Sequence, residues 1–340
     1  MKKTKLLTVS FLALVLCACG GGNPTSSASS EPTSLEPTSQ AETSEEKTFN
    51  IGVCQLVTHE ALDAATRGFV ETLQAELGDR VNIEVKNAAG EPATCSTIAN
   101  DFVSKNVDLI MANATPALQA ASQSTDSIPV LGTSITEYGV ALDIDNFDGT
   151  TGFNVSGTSD LAPLETQAQM LVDVFPNVEK VGLLYCSAEA NSKYQVEVVA
   201  NKLHEFNIQT EEIKFSDSND IASILNGKIN SVGAIYIPTD NTAASNSEII
   251  GNICLDNNVP VFAGEEGLCK GCGAITLSIS YYNIGVKTAR MALDILLNGA
   301  DITKMPVGYD ENPVKKYNPQ ICTELGLTVP EDYIAIDLGE

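Results

Sequence analysis

The chain has 340 residues, a net charge of −25 and nine cysteines, with no tryptophan and two histidines. So acidic a surface repels nucleic acid and anionic headgroups, which sets both aside as partners. The length exceeds one ordinary core and suits two lobes, while two histidines leave little for triad chemistry or a finger-type zinc site.

Lys2, Lys3 and Lys5 make a positive start, and the apolar run Leu6 to Leu16 is too short for a bilayer span of about 20 residues. A charged start, a short apolar stretch and small residues near a cut site describe an export signal. Leu16-Cys17-Ala18-Cys19 resembles the bacterial lipobox, which implies that Cys19 becomes a lipid-modified N-terminus. Residues 20 to 47 are mostly Gly, Ser, Thr, Pro, Ala, Gln and Glu. Such a segment buries too little apolar surface to offset its ordering entropy, so a disordered tether is expected.

From residue 49 short apolar runs alternate with amphipathic stretches. FNIGVCQLV, VNIEVKNA, VDLIMAN and IPVLGTS read as strands. The segments between them, HEALDAATRGFVETLQAEL, CSTIANDFVSK and TPALQAASQS, read as helices with apolar positions three and four apart. The second half repeats the order. KVGLLYC, IQTEEIKFS, VGAIYIPTD and VPVFAGEEG are strands, and NSKYQVEVVANKLHEF, DIASILNGKI and NTAASNSEIIGNICLDN are helices. YYNIGVKTARMALDILLNG is a further long helix with Gly299 as its C-cap. Strands separated by helices form parallel sheets covered on both faces, so the expected fold is α/β with two Rossmann-like lobes of similar topology. Asn154 to Pro163, rich in Gly and polar residues, reads as a crossover and hinge, and the segment around Tyr281 and Tyr282 as a second.

Ligands of open parallel sheets bind beyond the C-terminal strand ends. After the first strand these positions are Gln55, Thr58 and His59; after the next two come Asn113 and Thr115, then Thr133, Ser134 and Glu137. The second half offers Glu189 and Asn191, then Thr239, Asp240 and Asn241, then Glu265 and Glu266. Thr115 before Pro116 makes a good helix start, where free backbone N–H groups favour a carboxylate. Helix starts and hydroxyls for a carboxylate, with acids for an ammonium, suit a zwitterion. Asp240 is the first expectation for the ammonium partner and Asp160 the second.

Beyond Cys17 and Cys19, seven cysteines remain: Cys54, Cys95, Cys186, Cys254, Cys269, Cys272 and Cys322. An odd count cannot pair completely within one chain, and ordinary thiols are expected. Only Cys269-Lys-Gly-Cys272 has the close spacing of half a zinc site or a redox pair, and no histidine lies at finger spacing. There is no phosphate loop, no Gly-x-Ser-x-Gly elbow and no His-Glu-x-x-His. Glu265 and Glu266 are adjacent, so in an extended segment they diverge and make a poor acid–base couple. Neither an enzyme, a cofactor nor a metal is expected.

GVCQLVTHEALDAATRGF, VDLIMANATPALQA, GTSDLAP, YCSAEANS, IYIPTDNT, EEGLCKGCGAIT and SISYYNIGVKTARMA together resemble the ABC-transporter substrate-binding lipoproteins that bind tryptophan, tyrosine or phenylalanine. The resemblance runs from about residue 49 to 330. It implies the type I periplasmic-binding-protein fold, with a third crossover near MPVGYDENPV. The implied organisation is a signal over 1–18, lipidated Cys19 and tether over 19–47, lobe one over 48–155 and lobe two over 156–277. Residues 278–307 then return to lobe one, and 308–340 lie mainly in lobe two. The implied ligand contacts are Gln55, Asn113, Thr115, Thr133, Ser134, Ser159, Asp160, Glu189, Asn191, Asp240, Asn241 and Glu265. The implied partners are an amino acid, an aromatic one first, and a permease and ATPase on separate chains. The implied protein is a monomer held by lipid at the outer face of the cytoplasmic membrane. Glu60 and Glu265 depart from the family pattern, which usually has Pro after the first-loop His and Asp before the last-loop Glu. A ligand-sensing lipoprotein for a signalling partner, or a binder of a sugar or nucleoside, stays open at this point.

Overall fold

A computed structural model describes residues 47–310 and 312–338. The expected signal, the lipidation of Cys19 and the tether up to residue 46 lie outside the described residues. Among the described residues no helix is long and apolar enough to cross a membrane.

The first lobe runs β1 (Phe49–Gln55), α1 (Glu60–Leu77), β2 (Val81–Asn87), α2 (Pro92–Ser104), β3 (Leu109–Asn113), α3 (Thr115–Ser124), β4 (Val130–Ile135), α4 (Tyr138–Leu142) and β5 (Val155–Ser159). The second continues with α5 (Leu164–Val174), β6 (Lys180–Cys186), α6 (Ala190–Glu205), β7 (Gln209–Phe215), α7 (Ile221–Lys228), β8 (Ala234–Ile237), α8 (Asn241–Ala244), α9 (Ser247–Asp256), β9 (Val261–Ala263), α10 (Glu266–Gly271) and β10 (Ile275–Ser278). The chain then returns to the first lobe as α11 (Tyr281–Asn298) and ends with β11 (Val314–Tyr317), α12 (Pro319–Glu324) and β12 (Ile334–Ala335).

The first sheet has the order β2-β1-β3-β4-β5 and is parallel throughout. The second has the order β12-β11-β10-β9-β8-β6-β7, with β11 antiparallel to β10. Its β7-β6-β8-β9-β10 portion repeats the order of the first sheet, so the similar topology expected of the two halves is present. The central strands β3, β4 and β8 are buried along their whole length, as continuous apolar or small-residue runs require when helices cover both faces. The edge strand β2, VNIEVKN, alternates between partly buried and exposed positions and shows one face to solvent.

Three strands of chain join the lobes: after Ser159, between Ser278 and Tyr281, and after Gly308. The first crossover comes later than expected. Residues 156–159 belong to β5 in the first sheet, because the small side chains of VSGTS let that strand lie buried against β4. NTAASNSEIIGNICLDN, read as one helix, breaks into α8 and α9. The Asn246 side chain donates to Thr242 O at 2.7 Å, the local competition by which Ser and Asn interrupt helices.

α11 packs along α1 and against β4 and β5. At the crossing a β-carbon on Gly68 would lie 2.2 Å from Tyr282 O, and one on Gly285 2.0 Å from Ala65 O. The two helices therefore meet backbone to backbone, and only glycine fits at either position.

Candidate functional site

The two helices that open toward the interlobe cleft begin at His59 and Asp240. His59 is the N-cap of α1, and Asp240 caps α8 by accepting from Ala243 N at 2.8 Å. Between them lies a tightly closed cavity of about 10 Å³, lined by His59, Leu62, Ser134, Thr136, Asp160, Asn191, Thr239, Asp240, Asn241, Ala244, Glu265 and Tyr281. That is room for about one water, so the cleft must open further to admit a ligand. The lobes touch directly around it. His59 Nε2 lies 3.3 Å from Asn241 Oδ1, Thr136 Oγ1 lies 3.3 Å from Thr239 Oγ1, and Glu60 pairs with Lys270 at the rim. This is a closed cleft.

Four buried polar atoms of cavity-lining residues have no hydrogen-bond partner in the protein: His59 Nδ1, Ser134 Oγ, Asp160 Oδ1 and Asn191 Oδ1. Unpartnered buried groups are costly and rare, so four around one cavity mark the place where a ligand supplies the missing partners. Backbone strain lies beside them. Ala114 sits at φ 88° and Ser134 at φ 55°, at the ends of β3 and β4. Non-glycine residues seldom take such angles, and they gather at binding sites. The β4–β5 register shifts between Gly132 and Ile135, so the distortion at Ser134 re-aims the strand end.

Electrostatics point the same way. Burial pushes the Asp160 carboxyl up to about 6 and the Glu265 carboxyl up to about 7, and it raises Asp240. Among the described residues no ion pair involves these three acids. Asp160 Oδ2 accepts from the Tyr281 hydroxyl at 2.8 Å, which leaves Oδ1 for a ligand. Each Asp240 oxygen already has a backbone partner: Oδ2 accepts from Cys186 N at 2.7 Å and Oδ1 caps α8. Glu265 caps α10 through Gly267 N and Leu268 N. His59 is held below its ordinary range by burial, so its ring is neutral at pH 7.

Of the residues expected from strand ends, His59, Ser134, Asn191, Thr239, Asp240, Asn241 and Glu265 meet at this cavity, and Asp160, expected from the resemblance, joins them. The others do not line it. Gln55 turns to the outside of α1, where Nε2 donates to Asp63 at 2.6 Å and Oε1 accepts from Thr66 at 2.6 Å. Asn113 donates to Leu62 O and Thr66 Oγ1, tying β3 to α1. Thr115 is the buried first residue of α3. Thr133 meets Thr158 at 3.2 Å, and Ser159 Oγ donates to Thr136 O at 2.8 Å within the first crossover. Glu189 lies behind the cavity wall and accepts from Asn191, Asn241 and Thr242. Thr136, Ala244 and Leu62 enter the cavity without a strand-end signal. Leu62 is foreseeable only as the residue three after His59 on one helix face.

All seven cysteines in the described residues are free and buried. Cys269 and Cys272 donate their thiols to Gly273 O and Leu268 O, each at 3.3 Å, and burial holds both thiols well above their ordinary range. Among the described residues no cluster of three His, Cys, Asp or Glu side chains is arranged for a metal.

Residues 50–336 match the ABC transporter substrate binding protein family. A tyrosine-binding protein of Clostridioides difficile is 30% identical over 302 residues, covering 87% of this chain and 86% of the relative. A Streptococcus pneumoniae ABC domain solved in complex with L-Trp superposes with a TM-score of 0.80 at 31% identity, covering 84% of this chain and 97% of that one. The ligand-free, open structure of a Clostridium difficile substrate binding protein with adhesive properties gives 0.65 at 32% identity, covering 85% and 99%. At nearly equal identity the L-Trp complex is the better match of these two, in accord with the closed cleft. The fold is that of the type I periplasmic binding proteins.

Proposed function

Because the chain belongs to the ABC transporter substrate binding protein family, we propose that it captures a free amino acid with an aromatic side chain and passes it unchanged to a permease. The observation that carries this reading is Asp160 Oδ1, a buried acceptor at the cavity with neither a protein partner nor a counter-cation. An ammonium there makes a charge-assisted hydrogen bond and restores the carboxylate's charge. Asp160 therefore takes the ammonium in place of Asp240, whose oxygens are spent on backbone N–H groups. Ser134, able to donate, suits the carboxylate end, and Leu62 and Ala244 face the side chain. The names of the tyrosine-binding relative and of the L-Trp complex support the aromatic class.

Contacts from both lobes favour the closed form, and the open form loads and unloads. The permease and ATPase are separate chains, the binding protein acts as a monomer, and no chemistry is done on the ligand. Lipidation at Cys19 and a tether hold the domain at the outer face of the membrane. A Cys19→Ala variant that stays membrane-bound with unchanged mass would remove that part.

Mass spectrometry of the small molecule that co-purifies, followed by calorimetry on stripped protein with tyrosine, tryptophan, phenylalanine, leucine, glucose and a dipeptide, tests the ligand class. The expected result is binding of an aromatic amino acid. A sugar or peptide that binds while every free amino acid fails overturns the reading.

A further inference from the structure

The cavity has two unlike ends. Asp160, Ser134 and Tyr281 come from strand ends and crossovers. A second group of lining residues comes from the first turns of α1 and α8, which meet through His59 and Asn241. There His59 and Leu62 are three residues apart, as are Asn241 and Ala244, so each pair shares a helix face. Here Leu62 and Ala244 are apolar, and the His59 imidazole is bonded to the Asn241 amide.

The hydrogen-bond network decides what that imidazole presents. Glu189 Oε2 accepts from Asn241 Nδ2 at 2.6 Å, which fixes the amide and turns Asn241 Oδ1 toward His59 Nε2 at 3.3 Å. Nε2 therefore carries the proton of the neutral ring, and Nδ1 holds a bare lone pair. That Nδ1 is buried and has no partner in the protein. A tautomer locked in this way, by a carboxylate acting through an amide, offers the ligand an acceptor and no donor.

We infer that His59 Nδ1 is the specificity-determining acceptor for a hydrogen-bond donor on the ligand's side chain, so that tyrosine or tryptophan is selected over phenylalanine and aliphatic amino acids. The inference rests on the amino-acid reading above and assigns the tip of the side chain. The ammonium meets Asp160 at one end, the ring lies against Leu62 and Ala244, and the phenol O–H or indole N–H reaches Nδ1 at the other. A ligand lacking that donor leaves Nδ1 unpaired in a closed cavity, a loss of about ten- to a hundredfold in affinity. Neutral sites built around a polar partner reject the analogue that lacks it more strongly than apolar pockets reject an extra methylene.

Calorimetry on stripped wild-type protein compares tyrosine with phenylalanine and O-methyltyrosine, and tryptophan with 1-methyltryptophan. In each comparison the second compound lacks the donor. The expected result is tighter binding of the donor-bearing ligand by about ten- to a hundredfold. His59→Leu then brings phenylalanine and tyrosine to within about threefold of each other. Phenylalanine and O-methyltyrosine that bind wild-type protein as well as tyrosine overturn the inference while leaving the amino-acid reading intact. So does a preference that survives in His59→Leu. If no free amino acid binds at all, the amino-acid reading fails and this inference fails with it. The ligand series uses unaltered protein, so the outcome does not depend on the variant folding.

Discussion

The two lobes meet the cavity with polar residues in different conditions. The second lobe's, except Asn191 Oδ1, are satisfied before any ligand arrives. Glu189 accepts from Asn191, Asn241 and Thr242, and Asp240 accepts from Cys186 N and Ala243 N. The first lobe brings Ser134 with a strained backbone, His59 with a free lone pair and, at its exit, Asp160 with a free oxygen. One wall is a finished network that holds its shape, and the other carries most of the unmet hydrogen-bonding capacity. Binding energy should therefore come mainly from the first lobe, and structural stability of the site from the second.

Substitutions on the two walls should separate these roles. Asp160→Asn is expected to weaken amino-acid binding by about 30- to several-thousand-fold, about 2–5 kcal/mol, when measured by calorimetry. Its thermal midpoint at pH 7 should stay the same or rise, because the buried acid is replaced by a neutral isostere. Glu189→Ala should do the reverse. It strands several buried donors and costs about 2–4 kcal/mol of stability, read as a lower denaturation midpoint. If Glu189→Ala abolishes binding without touching stability, the division between the walls is wrong.

pH is a gentler probe of the same contrast. The Asp160 carboxyl titrates near 6 in the closed protein, and an ammonium stabilises its ionised form. Affinity should be flat above about pH 7 and fall by up to about tenfold per unit below about 6, where Asp160 must lose a proton to bind. Stability of the unliganded fold runs the other way. Between the ordinary carboxyl value of 3.8 and about 6, the folded state keeps a proton that the unfolded chain releases. That contribution is therefore greatest at low pH and is lost as pH rises through the window. The smallest effect belongs to the rim. Glu60 and Lys270 join the lobes with side chains 52% and 30% exposed. Glu60→Gln should speed ligand release by about two- to fivefold at low salt and by less at high salt, in stopped-flow measurements.

Much of the fold is written in periodicity. KVGLLYC and TPALQAASQS form β6 and α3 with the bounds their patterns give, and YYNIGVKTARMALDILLN ends at Gly299 with φ 64°. VSGTS escaped because its small polar residues look like a hinge, although they run as a buried strand. For the site, Asp160 comes from the resemblance, while strand-end logic finds His59, Ser134 and Asn191. It cannot tell them from Gln55, Asn113 and Glu189, which have the same chemistry at equivalent positions. What separates them is where their side chains are tied: Thr66 of α1 bonds to both Gln55 and Asn113, although Asn113 Oδ1 keeps no partner, and Thr66 carries no such label in the sequence.

The glycines at the crossing of α1 and α11 set the timing of capture. With Gly68 and Gly285 holding backbone against backbone, the two helices move as a splint. His59 and Leu62 at the head of α1 and Tyr281 at the head of α11 ride on it together, so these three lining residues keep their mutual placement as the lobes rotate. A ligand entering the open cleft meets a wall that needs no rearrangement, and its arrival rate is governed by diffusion and orientation. Ligands of different affinity should then arrive equally fast and differ in how long they stay.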